Sequence, residues 1–295
     1  MSAVNKIYYN GTGSLVTYNG YDTKAYYDGE NVYGEILEEI DWDLDALDFV
    51  TSGSINGYNQ QVAINNLTKT LKTGSNLWDD LEFVWPFAGT FAQTRNLKAY
   101  SNNGLVFGSA LTSGSLGITG DGTSNSYAST GIQSVFASIG YNTYGLFVVD
   151  NIAENAVDFG AFNSSVDKEI YLKTQTSSPY VDAETSVDTA GVGPISSAVT
   201  SSRGFTISAH DRVADEIYLY KEGSLLISGS STGPRFLPDN NATYAIGAYA
   251  TSDSSWEQNA SKTYGFGFYT DILLTPARIS ELNTAVQSYI LTLNR

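Results

Sequence analysis

Apolar and polar residues alternate along most of the chain, which is the pattern of half-buried β-strands. Every second residue is apolar in FTISAH at 205–210. EIYLYKEGSLLISG at 216–229 contains two strand-like runs, joined by a Glu-Gly pair that signals a tight hairpin turn. YAIGAY at 244–249 and YGFGFY at 264–269 continue the pattern. We therefore predict three neighbouring antiparallel hairpins in this part of the chain.

A helix is predicted for the run TPARISELNTAVQSYILTL at 275–293. Thr275 stands where it would cap the first turn, and Pro276 stands where its missing N–H costs nothing. Apolar side chains recur every three or four residues along the run: Ile279, Leu282, Val286, Tyr289 and Leu293. Because burying each large side chain is worth about 1.5–3 kcal/mol, we expect this helix to lie on the strands before it.

The first hundred residues follow other patterns. A helical apolar stripe spans 58–72, whereas the acidic stretch 35–49 fits either an amphipathic helix or an extended linker. Before it, short Tyr-containing segments are separated by Asn-Gly and Asp-Gly turns and are too short to form a core alone. We predict three parts: a β-hairpin anchoring segment at 1–34, an acidic linker or helix at 35–54, and the main domain at 55–295.

Composition supports a β-rich fold. The 295 residues include 28 Gly and 21 Tyr, and only 16% are charged, as expected for short strands with polar turns. A helical bundle would need far more Leu, Glu, Lys and Arg. The prediction is an all-β sandwich with a few helices.

Charge and residue types exclude several classes of function. The net charge of −16 offers no basic stripe for nucleic acid, and it favours a solvated acidic surface. There is no cysteine, so disulfides, thiolate metal sites and a cysteine nucleophile are excluded. No apolar run approaches the ~20 residues of a membrane helix, and the basic-then-apolar pattern of a signal peptide is not seen. We expect no membrane or nucleic-acid partner.

Three stretches together carry a resemblance to a known group of proteins: INGYNQQVAINNLTKTLKTGSNLWDDLEFVWPFAG at 55–89, LGITGDGTSNSYASTGI at 116–132, and the final strands and helix at 205–295. In order and spacing they resemble laminin-G/concanavalin-like proteins encoded in the virion-gene clusters of tailed bacteriophages. The resemblance covers about 55–295, and the Tyr/Gly turns at 1–34 are similar to short β repeats of phage tail-associated proteins.

The resemblance implies an antiparallel jelly-roll sandwich in a non-enzymatic virion structural protein at the surface of the extracellular particle. A tail fibre or receptor-binding component is the first interpretation, and a capsid decoration protein and a cell-surface carbohydrate-binding lectin are alternatives. The partners expected are other virion proteins through the N-terminal segment, further copies of the chain in a homo-oligomer, and a host surface glycan. The group carries no active site that maps onto this chain.

An enzyme is not expected from the acidic and histidine residues. Two carboxylates of a retaining glycosidase lie ~5–5.5 Å apart, but Glu216 and Glu222 are six residues apart in the sequence. The single histidine, His210, is expected to be half-buried or solvent-facing on a strand rather than catalytic. A glycan-cleaving enzyme is the third interpretation.

A calcium ion is the one cofactor considered. Laminin-G-like sandwiches often hold Ca²⁺ at the rim through Asp side chains and backbone carbonyls, and this implies three residues to test: Asp121, Asp150 and Asp253. No Asp-x-Asp-x-Asp-Gly loop occurs, and Asp121 is first of all a turn residue. The primary prediction is that no cofactor is bound.

Exposed aromatic side chains that stack on sugar rings are the candidate ligand-binding groups. Trp256 lies in the polar stretch TSDSSWEQNAS and is the first candidate, because a Trp flanked by Ser and Glu is a poor core residue. Tyr249 and Tyr180 are second. Packing at the rim of the sandwich is the alternative for Trp256.

Overall fold

The structure, a computed structural model, describes residues 26–27, 30–31, 40–88, 95–98, 105–133, 140–163, 168–178, 180–185, 195–211, 213–230, 243–250 and 256–293. The chain divides into two compact units, Met1–Trp42 and Asp43–Arg295. In the first unit, β1 (Tyr26–Tyr27) pairs with β2 (Glu30–Asn31) on either side of a predicted Asp-Gly turn. The other turns predicted in 1–34 lie outside the described residues.

The second unit is a sandwich of two sheets, which confirms the predicted all-β jelly roll. In the described residues the first sheet has nine strands, numbered in chain order: β4 (Val106–Phe107), β7 (Ala128–Gln133), β9 (Phe159–Asn163), β10 (Lys168–Lys173), β11 (Tyr180–Thr185), β12 (Ile195–Ala198), β16 (Thr243–Ile246), β17 (Tyr249–Ala250) and β18 (Trp256–Glu257). Their order is β12-β11-β10-β9-β16-β7-β4, and β17 pairs with both β9 and β18.

The second sheet has eight strands among the same described residues: β3 (Phe83–Trp85), β5 (Thr112–Gly114), β6 (Gly117–Thr119), β8 (Tyr141–Val148), β13 (Gly204–Asp211), β14 (Glu216–Lys221), β15 (Ser224–Ser230) and β19 (Thr263–Thr270). Their order is β15-β14-β13-β8-β19-β6-β5, with β3 also paired to β19. The meander β13-β14-β15 confirms the hairpin predicted at 216–229, and Glu222 and Gly223 form its turn with positive φ angles.

Four helices are described: α1 (Leu44–Ser52), α2 (Tyr58–Lys72), α3 (Leu77–Asp80) and α4 (Pro276–Thr292). The start of α1 is fixed by Asp43, whose side chain accepts hydrogen bonds from two backbone N–H groups of the first turn. Residues 44–52 of the predicted linker or helix at 35–54 are therefore helical. The prediction for α4 is confirmed, with Thr275 as its cap and Ile279, Leu282 and Val286 fully buried.

Helix α4 covers the outer face of the eight-stranded sheet. The ring of Tyr289 lies 6.2 Å from that of Phe266 on β19, and Ile290 reaches the backbone at Gly265. The four described helices pack into one layer. Helices α1 and α3 pack on α2, α2 packs on α4, and α4 packs on β13 and β15.

Large apolar and aromatic side chains of both sheets fill the interior. Tyr144 of the eight-stranded sheet stacks on Phe159 of the nine-stranded sheet at 4.8 Å between ring centroids. Tyr244 and Tyr269 meet across the same gap at 5.2 Å. These contacts join the two layers into one core.

One predicted pairing is wrong. YAIGAY and YGFGFY were expected to be neighbouring β elements, but β16 and β17 belong to the nine-stranded sheet and β19 to the other. The β19 ladder is also irregular between Tyr264 and Phe266, so Tyr264 points into the sandwich whereas Phe266 points to α4. Alternation identifies strands, but it does not identify their partners, and a bulge reverses the face.

The expectation for His210 is also wrong, because its side chain is only 1% exposed. It lies on the inner side of β13, stacks on Tyr144, and its Nε2 is 2.7 Å from Oγ of Ser208. β13 is central and is covered on both sides, by the other sheet and by α4. Polar residues at alternate positions therefore do not mark a solvent face here.

Candidate functional site

In the part of the chain that the structure describes, the helix layer covers the outer face of the eight-stranded sheet, and no described helix packs on the outer face of the nine-stranded sheet. At the β10-β11-β12 edge of this face, alternate residues of each strand point outward. We call the resulting surface the platform: Tyr171, Lys173, Tyr180, Asp182 and Ser196.

The register of the strands sets the geometry of the platform. Lys173 pairs with Asp182, and Asp182 pairs with Ser196, so the three side chains form one row across β10, β11 and β12. Tyr180 lies two residues before Asp182 on the same strand and is 44% exposed. An exposed ring thus stands beside a row of hydrogen-bonding groups.

Tyr171 forms the buried floor of the platform. The ammonium of Lys173 lies 4.6 Å from the centroid of its ring, a cation–π contact. On the neighbouring strand Gly160 stands opposite Tyr171, and a Cβ there would come within 2.9 Å of Val157 and 3.1 Å of Tyr171. The nearest atom to such a Cβ would be the backbone carbonyl oxygen of Ile170, at 2.8 Å, so glycine permits the close approach of β9 and β10 beside Tyr171.

Polar loops border the platform at the end where β11 begins. The Asn155 side chain accepts a hydrogen bond from the backbone N–H of Ser177, at 3.2 Å, and so joins the β8–β9 loop to the β10–β11 turn. Glu154 accepts two hydrogen bonds from Ser261, at 2.9 and 2.7 Å, and so joins the first loop to the one before β19. These hydrogen bonds join the β8–β9 loop, the β10–β11 turn and the loop before β19. We call these three loops the rim of the platform.

A buried ion pair fixes the rim from below. Lys262 and Asp158 are both fully buried, with Nζ 2.9 Å from Oδ2. The second oxygen of Asp158 accepts a hydrogen bond from the hydroxyl of Tyr264, at 2.7 Å, and Thr174 also donates to the carboxylate. Burial raises the pKa of Tyr264 well above its usual value, with the charge of Asp158 acting in the same direction. This network holds the same three loops in place.

The three predicted ligand-binding residues all belong to the nine-stranded sheet. Tyr180 starts β11, and its exposed side chain lies on the platform. Tyr249 pairs with Gly160, and Trp256 pairs with Ala250 on β17. The side chains of Tyr249 and Trp256 are outside what the structure describes, so their roles stay predictions.

The predicted metal residues are placed as follows. Asp121 is exposed, and one of its oxygens accepts hydrogen bonds from the N–H and the hydroxyl of Thr123 in a turn. Asp150 is half-buried, and it accepts a hydrogen bond from the N–H of Thr263 at 2.9 Å. Burial raises its pKa, and the bond from Thr263 opposes that rise. Asp253 lies outside the described residues.

Ca²⁺ takes six to eight oxygen ligands. In the described parts of the chain, no three Asp, Glu or His side chains come together in a group that could hold a metal ion. Asp121 and Asp150 alone do not fit the ion, and the calcium site stays a prediction that includes Asp253.

The carboxylates considered for catalysis have other roles. Glu222 accepts from the N–H of Phe205, at 2.7 Å, and from the side chain of Gln287. Glu216 accepts from the hydroxyl of Tyr218 and thereby helps to raise the pKa of Tyr218 to about 12. Six residues of strand place their Cα atoms roughly 20 Å apart, well beyond the separation that two glycosidase carboxylates need.

Sequence reasoning identified Tyr180 but missed Asp182 and Lys173. The signal was present, because Tyr180 and Asp182 are two residues apart in YVDAET and so share a face of any strand. What the sequence did not provide was the pairing of β11 with β10, which adds Lys173.

No protein-family model matches the sequence, and no curated protein matches it. Among solved structures, the chain is similar to a Trypanosoma rangeli sialidase in complex with a 2,3-difluoro-KDN compound, with a TM-score of 0.51 and 12% identity over 70% of this chain and 32% of the sialidase chain. It is also similar to domain 4 of AbnA, an arabinanase from Geobacillus stearothermophilus in complex with arabinotriose (TM-score 0.46, 14% identity, 69% of this chain and 98% of that one). A third is the CBM40 of a Ruminococcus gnavus IT-sialidase bound to α2,6 sialyllactose (TM-score 0.41, 13% identity, 52% and 93%).

At these identities the comparisons show the fold alone. The chain contains a jelly-roll sandwich of two sheets, and it spans about a third of the sialidase that it matches. None of the helices in the described part of the chain has the length and apolar character needed to cross a membrane.

Proposed function

We propose that the chain is a carbohydrate-binding, lectin-like module that binds its glycan on the platform, without hydrolysing it. The observation that supports this most directly is the exposed ring of Tyr180 on a strand, next to the polar row of Lys173, Asp182 and Ser196. An aromatic face with adjacent hydrogen-bonding groups suits a sugar ring, which has one apolar face and hydroxyl groups at its edge. A shared sandwich fold does not identify a ligand, so the proposal depends on the residues of the platform.

A rigid support favours this use of Tyr180. Its strand is paired on both sides, by β10 and β12, and Val181 and Ala183 anchor it in the core. The backbone carbonyl of Tyr180 also accepts from Thr176, at 2.7 Å. A side chain held on a paired strand loses little freedom when a ligand binds.

The virion role, on a phage tail or capsid, stays a finer prediction. It depends on the sequence resemblance across 55–295, and none of the structures named above is described as a virion protein. The two roles agree with each other, because a virion component that recognises a host surface glycan would use the same platform outside the cell.

A glycan array with the wild-type chain and Tyr180→Ala tests the proposal. We expect the variant to bind the recognised glycans at least tenfold more weakly, which corresponds to about 1.4 kcal/mol, because stacking on the ring is lost. Tyr141→Ala is the matched control, since Tyr141 is similarly exposed at 38% but lies on the eight-stranded sheet. Trp256→Ala in the same series tests the first sequence-based candidate.

Two results would contradict the proposal. One is a wild-type chain that binds no glycan on the array. The other is equal binding by Tyr180→Ala, Tyr141→Ala and wild type, which would place any sugar contact away from the platform. Release of reducing sugar from a bound polysaccharide would contradict the non-enzymatic part alone.

A further inference from the structure

We infer that Asp182 makes the platform selective for neutral sugars that present two adjacent hydroxyl groups, and that it excludes sialylated glycans. This inference rests on the proposed function, because it concerns the ligand of the same platform.

Asp182 is the central acceptor of the polar row. Its Oδ1 is buried and has no hydrogen-bond partner among the described residues. An ionised carboxylate only accepts hydrogen bonds, and leaving a buried oxygen without a donor is unfavourable. Two neighbouring sugar hydroxyls would supply one donor to each oxygen. The terminal torsion of an Asp side chain is broad, so rotation about it can turn Oδ1 toward a ligand.

The neighbours of Asp182 suit hydroxyl groups better than a second carboxylate. Lys173 is its cross-strand partner, but the ammonium of Lys173 is held over the ring of Tyr171. On the other side Ser196 has a hydroxyl that both donates and accepts, which matches a sugar hydroxyl. The row therefore combines one fixed cation with one acceptor that has spare capacity.

Charge around the platform acts against acidic ligands. The chain has a net charge of −16, and Glu154 and Asp150 lie in the adjoining rim. A sialic acid bound beside Asp182 would bring a carboxylate close to an existing one, and like charges at short range disfavour binding strongly. The platform would therefore repel sialylated glycans and attract the hydroxyl groups of neutral sugars.

The experiment compares glycan cores with and without a terminal sialic acid, measured by titration calorimetry at 0.15 M salt on the full-length chain. We expect the wild-type chain to bind the neutral member of each pair at least tenfold more tightly. Asp182→Asn keeps the shape but removes the charge, so its affinity for the neutral member should fall about tenfold and the neutral-to-sialylated ratio should approach one. Asp215→Asn is the matched control, because Asp215 lies in the β13–β14 turn at the opposite end of the sandwich, with φ +55 that asparagine tolerates.

A second measurement needs no variant. In 1 M salt the screening length falls to about 3 Å, so the deficit of the sialylated member on wild type should shrink several-fold. Equal or better binding of sialylated glycans, or an unchanged ratio in Asp182→Asn, would overturn the inference and leave carbohydrate binding intact. A wild-type chain that binds neither member of any pair would instead remove the proposed function.

Discussion

Lys221 shows how a single buried charge affects the stability of the sandwich. It lies on the inner side of β14, where its ammonium donates to the carbonyl of Ser202 at 2.8 Å and to the hydroxyl of Thr206 at 3.0 Å. Burial lowers the pKa of Lys221 from 10.5 to about 8, although the nearby charges of Glu222 and Asp158 oppose the shift. The native state therefore releases this proton more readily than the unfolded chain does.

The free energy of unfolding should consequently rise with pH between about 8 and 10. Across this window the unfolded chain binds more protons at residue 221 than the native chain, and the shift corresponds to a gain on the order of 3 kcal/mol. Urea unfolding from pH 7 to 10 measures the rise, and Lys221→Met should remove it. Above pH 10 the trend should reverse, because Tyr264 ionises in the unfolded chain before it does in the native one. A level wild-type curve from pH 7 to 10 would contradict the expectation.

Side-chain orientation at single residues was partly predictable from sequence. The alternation in β13 correctly separates Phe205 and Ile207 from Thr206 and Ser208, but all four are buried. Polar side chains inside the sandwich are compatible with the pattern only because they find partners there, as Ser208 does with His210. No local feature of the sequence reports that a strand is covered on both faces.

At the scale of elements, α4 connects the strongest sequence signal to a clear test. Its apolar stripe is buried against α2 and the eight-stranded sheet, while Leu291 on the same helix is 70% exposed. Leu282→Ala should lower the free energy of unfolding by about 2–5 kcal/mol, because it leaves a cavity on the buried side of α4. Leu291→Ala makes the same change on the solvent side and should stay within about 0.5 kcal/mol of wild type. Chemical denaturation of both variants gives the comparison, and equal losses would mean that α4 is not docked as described.

Elements whose signals are local were the ones that the sequence predicted well. The cap at Thr275, the turn at Glu222 and the stripe of α2 depend on residues close together in the chain, and all three appear in the structure. The acidic stretch 35–49 was ambiguous because its residues suit a helix and a linker equally. The Asp43 cap and the burial of Phe49 show a helix from residue 44 onward.

At the scale of the whole molecule, strand partners were the part that sequence did not provide. β16 and β19 have similar alternating patterns, yet they lie in opposite sheets and meet only through side chains such as Tyr244 and Tyr269. The platform forms only when β10, β11 and β12 lie side by side. It could not be predicted from the sequence, because strand partners could not be predicted. Strands that are far apart in the sequence pair according to the topology of the jelly roll. No local sequence pattern specifies that topology.

The first unit gives a prediction about assembly. In the part of the chain whose burial the structure describes, the core residues lie between Ala46 and Ile290, so we expect a chain without residues 1–42 to keep its thermal unfolding midpoint within about 3 °C. If the N-terminal segment mediates homo-oligomers, as the resemblance implies, the same deletion should reduce the assembly to a monomer. Light scattering after size-exclusion chromatography measures both chains. A full-length chain that is already a monomer would remove the case for N-terminal assembly.

The helix layer on one side has a practical consequence for attaching the protein to a surface. Because the chain contains no cysteine, one introduced thiol would be its sole coupling point. At Ser288, exposed on α4, a linker would leave the platform free to meet soluble oligosaccharides. At Ser196 the same linker would occupy the polar row, so the two attachment points would give an active and a blocked sensor from one protein.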